Sequence, residues 1–205
     1  MTSNMRKTLA RPADFQRLYG DHVRIVTLQT LPADPWVGLT IKGWTFDHVT
    51  FKGTTFKNVT FENVQFQDVT FDSDPENGTI IRNCVFRNCT FRNVTFLDAQ
   101  VIENTFSGGG IHGLETGEAR VDYQDGVWKS NTFENMTLED MYITHQGGDW
   151  EASTFRNVIF RNNNIHYGYI TGEFHQSTLE GNRAGGGVNR GINAPFQQCT
   201  FGTNE

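Results

Sequence analysis

The chain has 205 residues, enough for one domain or one elongated array. It carries 17 Phe and 21 Gly against 5 Pro, a balance that favours β structure over helix. Its formal charge of −6 excludes a strongly basic nucleic-acid binder on electrostatic grounds, while permitting acidic mimicry of a nucleic acid.

The charge is unevenly spread. Residues 1–40 hold 5 basic and 3 acidic side chains, 41–106 hold 6 and 8, and 107–205 hold 6 and 12, so the acidic excess lies in the second half. Cys84, Cys89 and Cys199 show no metal-ligand spacing and read as reduced thiols used as small apolar residues. No apolar stretch resembles a signal peptide or reaches membrane-spanning length, which predicts cytoplasmic residence or export without a cleaved leader.

In chain order, residues 1–40 lack an obvious repeat and read as an N-terminal capping segment, with a short helix expected near Ala13–Leu18. From Phe46 the chain repeats every fifth residue: Phe51, Phe56, Phe61, Phe66 and Phe71, then Ile81, Phe86, Phe91, Phe96, Val101 and Phe106. The step at Glu76 breaks the chemistry but keeps the phase. Two residues before each Phe stands a small or β-branched residue, such as Val49, Val59, Cys84 or Cys89. Thr usually precedes the Phe, and Gly, Asn or Asp follows it by two.

A period of five matches neither the helical 3.6 nor the strand period of 2. It matches a chain that turns a corner every fifth residue. V-T-F alternates in, out, in, as a very short strand does, and Asn, Asp or Gly tolerates the corner dihedrals. Four such sides close a square coil of about twenty residues, and coils stack at roughly 4.8 Å. The units V-T-F-K-N and C-T-F-R-N resemble those of the pentapeptide-repeat family, strictly over 41–106 and loosely over 128–201. That resemblance implies an all-β, right-handed quadrilateral parallel β-helix.

The second half keeps the period with slips: Trp128, Phe133, Leu138 and Ile143, then Trp150, Phe155, Phe160, Ile165 and Ile170, then Phe174, Leu179, Phe196 and Phe201. Gly-rich insertions at about 107–127, 144–149 and 180–195 are expected to leave the coil at its corners as loops. The whole spans about seven coils, roughly 35 Å. The predicted core is Phe46, Phe51, Phe56, Phe61, Phe66, Phe71, Phe86, Phe91, Phe96, Phe106, Phe133, Phe155 and Phe160, each worth roughly 1.5 to 3 kcal/mol on burial.

At twenty residues per coil, Lys52, Asp72 and Arg92 stack in one outward column, Glu62 meets Arg82, and Asp47, Gln67 and Arg87 form a third. Some members of the family mimic duplex DNA and protect type II topoisomerases through acidic surfaces. Alternating sign here argues against that role, and the bordering charges argue against ice binding by the Thr ladders. N-x-T sequons at Asn58, Asn77, Asn88, Asn93 and Asn135 are by-products of the repeat, expected to stay bare. The Gly108–Gly110 and Gly185–Gly187 runs lack the strand and helix context of a phosphate loop.

The candidate partner-binding residues fall in two groups. His112, Glu115, Glu118, Asp122 and Asp125 populate the first long insertion, where recognition by a protein partner is expected. Tyr142, His145, Trp150, His166, Tyr167 and Tyr169 group near one corner, as an aromatic-lined partner patch or, alternatively, an enzymatic or small-molecule site built on His145 and His166. No cofactor, metal or catalytic set is expected. The leading expectation is a non-catalytic scaffold that binds another protein, with no direct nucleic-acid or membrane contact. A homodimer through a solenoid end is one form this could take.

Overall fold

A computed structural model describes residues 25–31, 33, 35–73, 78–117, 127–144, 150–166, 169–185 and 191–204. It is an all-β parallel solenoid, and every pairing between its strands is parallel. Among the described residues there is no helix; the short helix expected near Ala13–Leu18 lies outside them.

Backbone register sorts the inward residues into four columns, one per side of the square. The first runs Val26, Phe46, Phe66, Phe91, Ile111, Leu138, Phe160, Leu179, Phe201. The second runs Leu31, Phe51, Phe71, Phe96, Thr116, Ile143, Ile165, Ala184. The third runs Trp36, Phe56, Ile81, Val101, Trp128, Trp150, Ile170, Ile192. The fourth runs Ile41, Phe61, Phe86, Phe106, Phe133, Phe155, Phe174, Phe196.

The corner chemistry explains why the chain bends every fifth residue. Two positions after most inward residues, the backbone enters the left-handed region, as at Asn58 (φ 55°), Asn63 (φ 54°), Asn83 (φ 53°), Asn88 (φ 52°) and Asn93 (φ 51°). Asn, Asp and Gly reach this region cheaply, which accounts for their place in the unit. Corner amides are satisfied by the next coil: the Asn63 N–H donates to the Arg87 carbonyl at 2.9 Å.

Rings of one column stack nearly parallel. Phe86–Phe106 lie 4.6 Å apart at 4°, Phe106–Phe133 4.9 Å at 9°, and Phe155–Phe174 4.2 Å at 7°. Rings of adjacent columns meet edge to face, as Phe46–Phe51 do at 5.3 Å and 66°. Both geometries suit the aromatic quadrupole. All thirteen phenylalanines of the predicted core are buried. Cys84 and Cys89 are free thiols buried at corners, and burial pushes both up to about 11, so neither is a nucleophile at neutral pH.

Several boundaries differ from the sequence expectation. The solenoid is already under way at Ile25–Leu31, where Val26, Leu31, Trp36 and Ile41 form a layer spaced by five. Residues 25–40 are therefore coil rather than cap; their Val, Leu, Trp and Ile disguise a pattern carried elsewhere by Phe. The interruption near Glu76 also acts differently. Phe71 and Ile81 are consecutive inward residues, so one pentad is left over, and Ile81 stacks on Phe56 twenty-five positions earlier. Phase survives while every later residue moves by one side. Asp72 consequently stacks on Leu97 rather than Arg92, Glu62 on Arg87 rather than Arg82, and Asp47 and Gln67 on Arg92 rather than Arg87.

The first insertion largely stays in the wall. Residues 107–117 pair with Arg87–Leu97 on one side, and Ile111 and Leu114 are buried. Gly109 (φ 73°) is required there, since a Cβ would stand 2.0 Å from the Cys89 carbonyl oxygen. Within 180–195, Arg183–Gly185 and Gly191–Asn193 likewise pair with the preceding coil. The parts of the three insertions left over, 118–126, 145–149 and 186–190, lie outside the described residues.

A second class of corner residue replaces valine in the later coils. Asn104 and Asn131 are buried and stacked: the Asn104 N–H and side-chain amide both donate to Asn131 Oδ1, at 3.0 and 3.1 Å. Another ladder joins Asn163, Asn182 and Asn204 through the same bonds. Each rung is satisfied by the next.

Ala152 is a strained corner, with φ 49° where Asn or Gly stands in most coils. Its N–H donates to Thr171 Oγ1 at 3.0 Å, a bond that any side chain preserves. Replacing Ala152 with Asn is expected to raise the unfolding free energy by about 0.5–1 kcal/mol, read from the urea midpoint at constant m-value.

Candidate functional site

Six of the residues expected to bind a partner are described, and register brings Glu115 of the first group beside Tyr142 of the second. Trp150 is fully buried and stacks on Trp128 at 4.7 Å and 4°, so it belongs to the core rather than to an outer patch. The aromatic side chain placed it there: Trp substitutes for Phe at an inward position. Tyr142 is 38% exposed, and its backbone pairs with Glu115 and Asn164. His166 is in register with Thr144 across adjacent coils. Tyr169 pairs with Gly191. His145, Tyr167, Glu118, Asp122 and Asp125 lie outside the described residues.

His112 enters a different arrangement. It sits in one outward column with Glu139 and Arg161, on three successive coils. Glu139 contacts His112 Nδ1 with one carboxylate oxygen and the Arg161 guanidinium with the other. The Arg161 hydrogen bonds hold the Glu139 carboxyl below its usual range, against the opposing pull of burial, with His112 lending further help. This is the cross-coil ion-pair logic of the whole exterior. Lys42–Glu62 at 3.1 Å, Lys129–Glu151 at 3.3 Å and Arg156–Glu134 at 3.2 Å repeat it. Exposed pairs of this type contribute little each, and their main effect is to neutralise the carboxylates along the wall.

The feature that departs most from the rest of the molecule is the C-terminal layer, a solenoid end of the kind at which the sequence analysis allowed a homodimer. Gly191–Asn193, Phe196–Gln197 and Thr200–Phe201 each pair on one side only among the described residues. Phe196 and Phe201 are 38% and 54% exposed, while other phenylalanines of their columns are at most 3% exposed. Phe196 stacks obliquely on Phe174 at 5.4 Å and meets Phe201 edge-on at 5.0 Å. Beside them opens a cavity of about 220 Å³, lined by Leu179, Arg183, Ile192, Phe196, Phe201 and Asn204. Asn204 ends its ladder here, its side chain bonded to Asn182 and to the Leu179 carbonyl. The sequence signal was present in Phe196 and Phe201, whose period continues to the last layer.

Because its folded-state value is depressed, Glu139 stabilises the fold fully above the ordinary carboxylate range and loses that contribution as pH falls through the lower folded value. Urea midpoints measured from pH 7 down to about pH 3 should therefore fall more steeply in the wild type than in Glu139→Gln.

The profile of the SV2A/B/C luminal domain family matches residues 39–111, well under half of the chain. A comparison with curated protein sequences found no match. Among solved structures, HetL, a pentapeptide repeat protein involved in heterocyst differentiation regulation from the cyanobacterium Nostoc sp. strain PCC 7120, is 11% identical with a TM-score of 0.42, covering 85% of this chain and 70% of that one. QnrB1, a plasmid-mediated fluoroquinolone resistance protein, is 14% identical with a TM-score of 0.42, covering 88% and 91%. The A-module of the mannuronan C-5 epimerase AlgE4 from Azotobacter vinelandii is 12% identical with a TM-score of 0.26, covering 87% and 78%. With its fifth-residue period, its left-handed corners and its four stacked inward columns, the chain is a four-sided, all-β parallel solenoid.

Proposed function

We propose that this chain is a non-catalytic scaffold that engages another protein through its C-terminal layer. The observation that carries this reading is the exposure of Phe196 and Phe201 in columns that are otherwise dry. Apolar surface of this kind beside an open strand edge favours a protein contact, because a partner supplies both the apolar cover and the missing backbone hydrogen bonds. A second copy of the chain, packed end to end, is the simplest such partner.

Neutralised exterior columns weigh against the alternative of duplex mimicry, since a phosphate-like surface needs unpaired acids in rows. The wall chemistry also changes how a recognition role for residues 107–127 is tested. Deleting that whole segment would remove Ile111 and Leu114 from the core, so only 118–126 is a fair deletion.

Sedimentation of the full chain against Phe201→Glu tests self-association, with dimer expected in the wild type and monomer in the variant. A photo-crosslinking residue at position 201 tests for a different partner by covalent adduct. A wild type that stays monomeric and gives no adduct in its native cell overturns the proposal.

A further inference from the structure

Many outward carboxylates of the solenoid pair with a lysine or arginine on the neighbouring coil, and Glu173 meets a histidine instead, His175 at 3.0 Å. At one corner two carboxylates from successive coils share a single imidazole. Asp47 and Asp68, on successive coils, form no ion pair with Lys or Arg among the described residues; what lies between them is the imidazole of His48. Its Nδ1 is 2.7 Å from Asp47 Oδ1, and its Nε2 is 3.8 Å from Asp68 Oδ2. The second oxygen of Asp68 is held in turn by the Asn93 side-chain amide, 3.1 Å from Oδ1. One ligating atom from each of Asp47, His48 and Asp68 lies within 4.8 Å of the others.

We infer that His48 Nε2 and Asp68 Oδ2 hold a borderline divalent transition-metal ion of the zinc class between two successive coils, with Asp47 as the outer carboxylate that orients the ring. Each ligand is aimed by a neighbour that uses its other polar atom. Asp47 accepts from Nδ1–H, which leaves the Nε2 lone pair directed at Asp68. This is the carboxylate–histidine–metal arrangement, in which the outer carboxylate fixes the tautomer and raises the basicity of the ring. Asn93 turns Asp68 so that Oδ2 faces the ring. For an ion about 2.0–2.1 Å from each ligand, tetrahedral angles need nitrogen and oxygen about 3.3 Å apart, a gap that small rotations of these part-exposed side chains close from the present span. An imidazole nitrogen selects zinc, nickel, cobalt or copper over calcium and magnesium, which prefer all-oxygen shells. Water completes the shell at the exposed side. Two carboxylates without a basic partner supply the negative field that such an ion neutralises.

The corner position makes the test clean. His48 has φ 52°, and Asn occupies the equivalent place in many coils, so His48→Asn keeps the fold while removing the nitrogen ligand. Zinc chloride titrated into the full chain is followed by calorimetry and by imidazole nitrogen shifts. The expected result is one ion per chain, a shift at His48 Nε2 and a higher thermal midpoint with zinc. Affinity should fall at least about tenfold in His48→Asn and in Asp68→Asn, and about tenfold in Asp47→Asn through loss of ring orientation. Two results overturn the inference. One is zinc bound equally by His48→Asn, which places the ion elsewhere, such as His112 and Glu139. The other is an unshifted His48 and no heat at about 1 mM zinc, which leaves the corner as a hydrogen-bonded ion pair only.

Discussion

The architecture depends on one backbone constraint: a residue in left-handed conformation two places after most inward side chains. Without it, V-T-F would extend into an ordinary strand and expose half its apolar residues. With it, each three-residue side ends in a corner, and four corners bring the chain back over itself at strand spacing. Stacked rings, corner ladders and ion-pair columns all follow from residues arriving one above another. The conformation is cheap for Asn, Asp and Gly and costly for His48, Glu103, Ser130, Ala152, Gln176 and Gln198, which adopt it nonetheless. Tertiary hydrogen bonding of the corner amides compels those six, so the solenoid stores modest strain on its outer edges.

Inside the shaft, the two halves solve the same packing problem differently. Early coils place phenylalanine in adjacent columns and aliphatic or thiol side chains at the inner corners. Later, the third column widens to Trp128 and Trp150, whose rings stack on each other in the core. Inner corners change from Val and Cys to Asn, whose amides bond both to the next rung and to a backbone carbonyl. Such a ladder is satisfied only while another layer follows it. Among the described residues, the layer of Phe196 and Phe201 is paired on one side only, so it lacks the continuity that stabilises the rest of the wall.

Outside, neutralisation of carboxylates by basic residues one coil away is the rule. Glu139 illustrates it, held between His112 and Arg161 on flanking coils. Against this background, Asp47 and Asp68 are distinguished by sharing one imidazole across two coils, and Phe196 and Phe201 by facing no described residue beyond their own layer. Both features are departures from a repeated pattern, which is why they are visible as candidate sites on an otherwise uniform wall.

The amino-acid sequence by itself determined the repeat unit, the inward residue of each pentad and the corner chemistry, because each is a local property: alternation puts Phe inside, and Asn, Asp or Gly permits the turn. It could not determine which residues stack. At Glu76 the period of five survives unbroken whether the pentad lies in the wall or outside it, and only tertiary pairing of Ile81 with Phe56 decides between them. That one choice moved Asp72 from Arg92 to Leu97. Glycines at 108–110 read locally as loop, yet they lie in the wall, where the approach of the Cys89 carbonyl leaves no room for a Cβ at Gly109. The end layer was equally illegible, because Phe201 has the same sequence context as its buried counterparts, and what differs is whether another coil lies above it.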